Sequence, residues 1–154
     1  GAGEPDESRR SDKEGESMAT NIQRVDYFHA TVTDRPGEAY RLLTQLASSG
    51  VSLLAFSAIP AGPEHTQLML FPKSPDSLMR VAGTAGLVLT GPQHALLIQG
   101  DDELGALAES HRALFDANVN VYASTGVADG QGGYGYVIYV RSEDFEEAAR
   151  ALGV

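Results

Sequence analysis

The 154 residues contain no cysteine, which excludes disulfides, thiolate metal sites and a cysteine nucleophile. Basic residues are scarce. With 11 Lys and Arg against 21 Asp and Glu the formal charge is −10, and no local basic patch offsets it, so a nucleic-acid surface is not expected. No apolar run approaches the roughly 20 residues that a membrane span needs, and the polar, charged N-terminus does not read as a signal peptide. The four histidines (His29, His65, His94, His111) lack the His-x-x-x-His spacing of a helical metal site. A nucleophile elbow is missing too, and no acid, base and nucleophile converge in the sequence. The expectation compatible with these features is a cytoplasmic, non-catalytic, globular chain without a metal or other cofactor.

What is present is unevenly spread. Residues 1–17 hold no large apolar side chain and cannot bury enough surface to offset the entropy of ordering. They read as a disordered tail, either native or added ahead of a natural start at Met18, and stand apart from the fold. Between residues 18 and 90 five acidic residues are cancelled by five basic ones, whereas residues 91–154 carry ten acidic and three basic, a balance of −7.

One phrase organises the rest. Residues 34–50 read Asp-Arg-Pro-Gly-Glu-Ala-Tyr-Arg-Leu-Leu-Thr-Gln-Leu-Ala-Ser-Ser-Gly. Asp34 is placed to cap a helix, with Pro36 in the first turn, where its missing N–H has no partner to lose. Ala39, Leu42, Leu43, Leu46 and Ala47 recur at helical spacing, and Gly50 stands where a left-handed residue ends a helix. The phrase returns 68 residues later: Asp34, Gly37, Leu46, Val51 and Leu53 map without a gap onto Asp102, Gly105, Leu114, Val119 and Val121. Gly50 maps onto Asn118, the other residue common after a helix end.

Taken in order, β-branched and aromatic residues predict strands over 25–32, 51–59 and 65–71. Ser74-Pro75 starts a second helix with Leu78, Val81 and Ala82 on its apolar face, and 87–89 reads as a short fourth strand. After a turn at 90–92 the second copy follows: a strand at 95–99, a helix to about 117 burying Leu107, Leu114 and Phe115, strands at 119–127 and 134–140, and a closing helix capped by Ser142. The order strand, helix, strand, strand, helix, strand is the ferredoxin-like motif. The expected fold is therefore α+β, two βαββαβ copies side by side, their antiparallel sheets covered by helices on one face. The copies span 18–90 and 91–154, with the second copy's fourth strand either missing or supplied by 87–89.

The run Asp34-Arg35-Pro36-Gly37, followed by Leu42-Leu43, Leu46-Ala47 and Gly50-Val51, resembles the ACT domain family of small regulatory ligand-binding modules, here as a tandem pair. The resemblance covers residues 25–152. The second copy departs from it, with Glu103-Leu104 in place of Arg35-Pro36 and Asn118 in place of Gly50. It implies modules paired side by side, with an amino acid at the junction between the first turn of one copy and the start of the second strand of the other. On that basis one site combines Asp34, Arg35 and Gly37 with Asn118, Val119 and Asn120, and the mirror site combines Asp101, Asp102 and Gly105 with Val51 and Ser52. Partners expected beyond the ligand are a second copy of the chain or another protein.

Elementary chemistry is compatible with such a site. Amides that begin a helix favour an anion, glycine admits a ligand close to the backbone, and the aspartates and asparagines supply acceptors for an α-amino group. Each residue also has a purely structural reading: Asp34 and Asp102 as helix caps, Gly37 and Gly105 as close-packing positions, and Asn118 as a helix-ending residue. The string from Gly130 to Gly135 fits Gly-x-Gly-x-x-Gly but precedes a strand instead of opening a helix, so it reads as a hairpin loop and not a dinucleotide site.

Overall fold

The first strand starts four residues before its aromatic run. In a computed structural model, which describes residues 20–101 and 104–154, β1 spans Asn21–Thr33. It is followed by α1 (Glu38–Ser48), β2 (Leu53–Pro60), β3 (His65–Pro72), α2 (Pro75–Ala85) and β4 (Thr90–Asp101). Then come α3 (Leu104–Asp116), β5 (Val121–Ala128), β6 (Gly133–Val140) and α4 (Phe145–Ala151). The tail over 1–17 and the site residue Asp102 lie outside the described residues.

The chain divides into two units. One is Val25–His94; the other joins Ala95–Val154 to residues 20–24. The first is thus inserted in the second, and the boundaries fall inside β1 and inside β4. In the inserted unit the strand order is β2-β3-β1-β4, and in the split unit it is β1-β4-β6-β5. Both orders are ferredoxin-like, and the pairings β1 with β3, β2 with β3, β4 with β6 and β5 with β6 are antiparallel.

The outer strand of the split unit is the opening stretch of β1. Ile22 packs against that unit's core, and Gln23 Nε2 donates to Gln99 Oε1 at 3.5 Å. Arg24 clamps the C-terminal helix. Its guanidinium donates to Glu146 Oε1 at 2.9 Å and to the Val154 carbonyl at 3.2 Å, and lies 5.7 Å from the Phe145 ring centroid.

The expected strand over 87–89 and turn over 90–92 do not form. Helix α2 closes on Gly86, left-handed at φ 71°, and the Leu87 N–H returns to the Ala82 carbonyl at 2.9 Å. That closure turns Leu87 into the core and Val88 outward, and the strand begins only at Thr90. Gly91 lies within it, and the position requires glycine because a Cβ there would meet the Tyr27 carbonyl at 3.0 Å, at a φ of 134° that disfavours any other residue.

In the inserted unit, Phe28, Ala30, Leu68 and Leu70 of the strands meet Leu42 and Leu46 of α1 and Leu78, Ala82 and Ala85 of α2. In the split unit, Leu96, Ile98, Ile138 and Val140 meet Leu114 of α3 and Phe145, Ala148 and Ala149 of α4. The helix faces are narrower than their sequences suggest. Ala39, Leu43 and Ala47 are exposed, and Phe115 is 80% exposed instead of buried. Leu42 and Leu46 lie one above the other on a helix, whereas positions 39, 43 and 47 sit about a quarter-turn round on the flank.

Ser74 caps α2 as expected, its Oγ accepting from the Ser77 N–H at 3.3 Å. Ser142 caps nothing: a 3-10 turn over Ser142–Asp144 intervenes, so the helix starts at Phe145 and Ser142 Oγ is spent on the Glu143 carboxylate at 3.5 Å. No helix among the described residues is long and apolar enough to cross a membrane.

Candidate functional site

The turn that opens α1 is built differently from the expected capped helix. Asp34 does not cap it; its N–H donates to the Glu64 carbonyl at 2.8 Å, holding the end of β1 to the loop before β3. The cap position is Gly37, left-handed at φ 85°, and no side chain reaches the first amides. Pro36 therefore precedes the helix instead of entering its first turn. Glu38 N–H donates to the Arg35 carbonyl at 3.2 Å, and the Glu38 carboxylate pairs with Arg41 at 3.2 Å. Asp34, Arg35 and Gly37 are all exposed, and a Cβ on Gly37 would meet nothing within 4 Å. The close-packing reading of Gly37 is thereby excluded. What requires glycine here is the backbone angle.

The start of α3 repeats part of this. Gly105 is exposed, with nothing within 4 Å of a Cβ placed on it, and Asp101 ends β4 on the surface opposite Gly133. Asp102 lies outside the described residues.

The other ends of these helices superimpose on the repeat bond for bond. Gly50 (φ 78°) and Asn118 (φ 59°) are both left-handed. Val51 N–H donates to the Leu46 carbonyl at 3.0 Å, and Val119 N–H to the Leu114 carbonyl at 2.9 Å. Val51 and Val119 are buried at 8% and 7%. Asn118 thus serves as the helix-ending residue, and Ser52 is exposed with its carbonyl accepting from Lys73 at 2.9 Å.

Within one unit the two halves of the expected site are kept apart. Helix α1 has 11 residues and α3 has 13, so the turn at one end and the second-strand start at the other are separated by roughly 16–20 Å. No single unit brings Asp34, Arg35 and Gly37 to Val51 and Ser52, or Asp101 and Gly105 to Asn118 and Asn120.

Asn120 is exposed and opens onto a groove of about 470 Å³ between α3 and β5, with Leu114 at its floor and His111, Phe115, Tyr122 and Ser124 along it. His111 is fixed by a 3.0 Å bond between its Nε2 and the Tyr136 hydroxyl. Tyr136 in turn lies against Gly126, where a Cβ would stand 2.7 Å from the ring. No group of three or more His, Cys, Asp or Glu that would hold a metal occurs among the described residues.

No protein-family model and no curated protein matches the chain. Solved structures do. Protein BT0572 from Bacteroides thetaiotaomicron is similar with a TM-score of 0.68 and 15% identity, over 84% of this chain and 88% of that one. The ligand-free regulatory subunit of aspartate kinase from Thermus thermophilus gives 0.56 and 18% identity, over 88% and 96%. Its counterpart from Thermus flavus gives 0.53 and 17%, over 87% and 93%. This is a tandem ACT-type fold.

The Asp-Arg-Pro-Gly turn and the second-strand start are the segments that the sequence singles out; the second-strand start keeps its repeat geometry here, whereas the left-handed angle of Gly37 does not recur at Gly105, which lies within α3. His111, Tyr122 and Ser124 were not singled out as site residues. The signal for His111 was its replacement of Leu43 in the repeat; Tyr122 and Ser124 carry none, because a polar residue in an outer strand is common.

Proposed function

We propose that this chain is a non-catalytic regulatory module which binds an amino acid or similar small carboxylate where the first turn of one copy meets the second-strand start of another. The observation that carries this reading is the start of α1: amides with no side chain on them, a left-handed Gly37 with open space around it, and Arg35 exposed beside it. A carboxylate fits such a turn through the partial positive charge of the helix end. Because the two ends of each helix are so far apart, the acceptors for the α-amino group come from a different copy, with Asn118, Val119 and Asn120 completing one site and Val51 and Ser52 the mirror site. The likeness to regulatory subunits of aspartate kinase supports the regulatory reading. A ligand bridging two copies shifts their equilibrium by no more than its differential affinity for the two states, and the signal passes to a second copy or another protein.

The alternative is a protein–protein module with no ligand, and the exposure of Tyr40 at 77% and Phe115 at 80% favours it. Thermal stabilisation by ligand in the wild type and in an Asp34→Ala, Asn120→Leu double variant separates the two. Stabilisation lost in the variant, with assembly retained, supports the junction; equal stabilisation in both places the ligand elsewhere, and none in either leaves the interaction module.

A further inference from the structure

The repeat gives α3 and β5 an internal reference. Residue for residue it carries Leu43, Ala47, Leu54 and Phe56 of the inserted unit onto His111, Phe115, Tyr122 and Ser124 of the split unit. The strands keep that correspondence. Leu53 pairs with Pro72 and Val121 with Val140, Phe56 pairs with Leu70 and Ser124 with Ile138, and both strands bulge directly after the first of these pairs. Phe56 packs against the core of its unit. Ser124, in the same place, is exposed and lines the groove of about 470 Å³ between α3 and β5. The groove thus occupies a place that a phenyl ring fills in the other copy.

We infer that this groove receives the ligand's side chain, and that the ligand is an amino acid with an uncharged aromatic ring. The inference rests on the ligand reading and sharpens it. Asn120 both belongs to the second-strand start and lines the groove, so an α-amino group held there leaves the side chain at the groove's mouth. The groove's volume lies within the roughly 300–1,000 Å³ of small-ligand pockets. Phe115 on the helix wall and Tyr122 on the strand wall are 80% and 55% exposed above Leu114. Two aromatic walls over an apolar floor suit a ring, which gains both buried area and aromatic contacts. No Asp, Glu, Lys or Arg lines the groove, residues 117–128 hold none, and on α3 Arg112 and Asp116 pair with each other at 3.9 Å. A carboxylate or ammonium side chain would shed water there with no opposite charge to meet. Ser124 and His111, the latter bonded through Nε2 to the Tyr136 hydroxyl at 3.0 Å, supply polar groups that admit a ring hydroxyl or N–H. In the mirror site Phe56 takes the equivalent place, so only the site that includes Asn120 selects by side chain.

Isothermal titration calorimetry of the full chain with each of the twenty amino acids tests this. Phenylalanine, tyrosine or tryptophan is expected to bind about tenfold or more tightly than alanine, aspartate, glutamate, lysine or arginine. Ser124→Phe, which gives the groove the residue of the other copy, is expected to weaken that binding by about tenfold or more with an unchanged circular dichroism spectrum. Phe115→Ala, at a position too exposed to affect folding, is expected to weaken it roughly three- to tenfold through the lost ring contact. Tightest binding by an amino acid without an aromatic ring, or ring binding that Ser124→Phe leaves intact, overturns the inference. An amino acid without such a ring, whose binding is lost in the Asp34→Ala, Asn120→Leu double variant, refutes only the ring and leaves the junction standing. No binding by any of the twenty refutes the junction, and this inference with it.

Discussion

Gly126 is a residue whose smallness is structural. A Cβ there stands 2.7 Å from the Tyr136 ring, so Gly126→Ala forces the ring off the strand and breaks its 3.0 Å bond to His111. Overpacking of this kind costs about 1–3 kcal/mol. Gly37→Ala meets no atom and pays only for the left-handed angle, about 1–2 kcal/mol. Urea denaturation measures both, and only Gly126→Ala is expected also to perturb the His111 ring signals in NMR. Asp129 supplies a pH effect. Its carboxylate accepts from the Gln131 and Gly133 N–H groups at 2.6 and 3.0 Å, and these bonds hold its pKa below the ordinary 3.8. A carboxyl group with a depressed folded pKa stabilises the fold above its unfolded value, and that contribution is lost as pH falls through the folded one. The protection of the Gln131 and Gly133 amides, measured against their intrinsic exchange rates at each pH, is expected to fall below about pH 4, the unfolded carboxylate range, and Asp129→Asn is expected to remove that acid-dependent step.

At the scale of elements, the helix ends were legible and the helix faces only half so. Gly50 and Ser74 behave as their types suggest because end geometry is decided by a few neighbouring dihedrals and bonds. The burial of α1 is decided by the sheet beneath it, and an apolar stripe wider than that contact leaves its flank outside. Leu42→Ala is therefore expected to cost about 2–5 kcal/mol as a core deletion, and Leu43→Ala within about 0.5 kcal/mol of neutral, as surface changes do. Comparable losses at both would contradict the assigned face. Asp34 misled for a related reason: a cap is recognised by its position before a helix, but the Glu64 carbonyl across the loop claims its backbone and Gly37 takes the cap.

For the molecule as a whole, the repeat made the doubled ferredoxin-like plan readable, since the 68-residue spacing carries Leu46, Val51 and Leu53 onto Leu114, Val119 and Val121 even though the buried Leu42 of α1 becomes the buried Ser110 of α3. What it hid was the insertion. The split unit takes an outer strand from Asn21–Arg24, and nothing local in these residues announces that they complete a unit whose remainder begins at Ala95. Arg24 shows the consequence, reaching 130 positions along the chain to the Val154 carbonyl. The candidate site was legible as two segments and not as an assembled pocket, because its halves stand at opposite ends of each first helix.

The central claim, that such segments hold an amino acid between copies, is tested most directly by a thermal-shift screen of the full chain against the twenty amino acids and common metabolic carboxylates. A ligand present at a hundred times its Kd adds about 2.7 kcal/mol, which for a chain of this size raises the melting temperature by roughly 5–10 °C. One amino acid or a chemically related few are expected to do so. A flat response across the whole set contradicts the account.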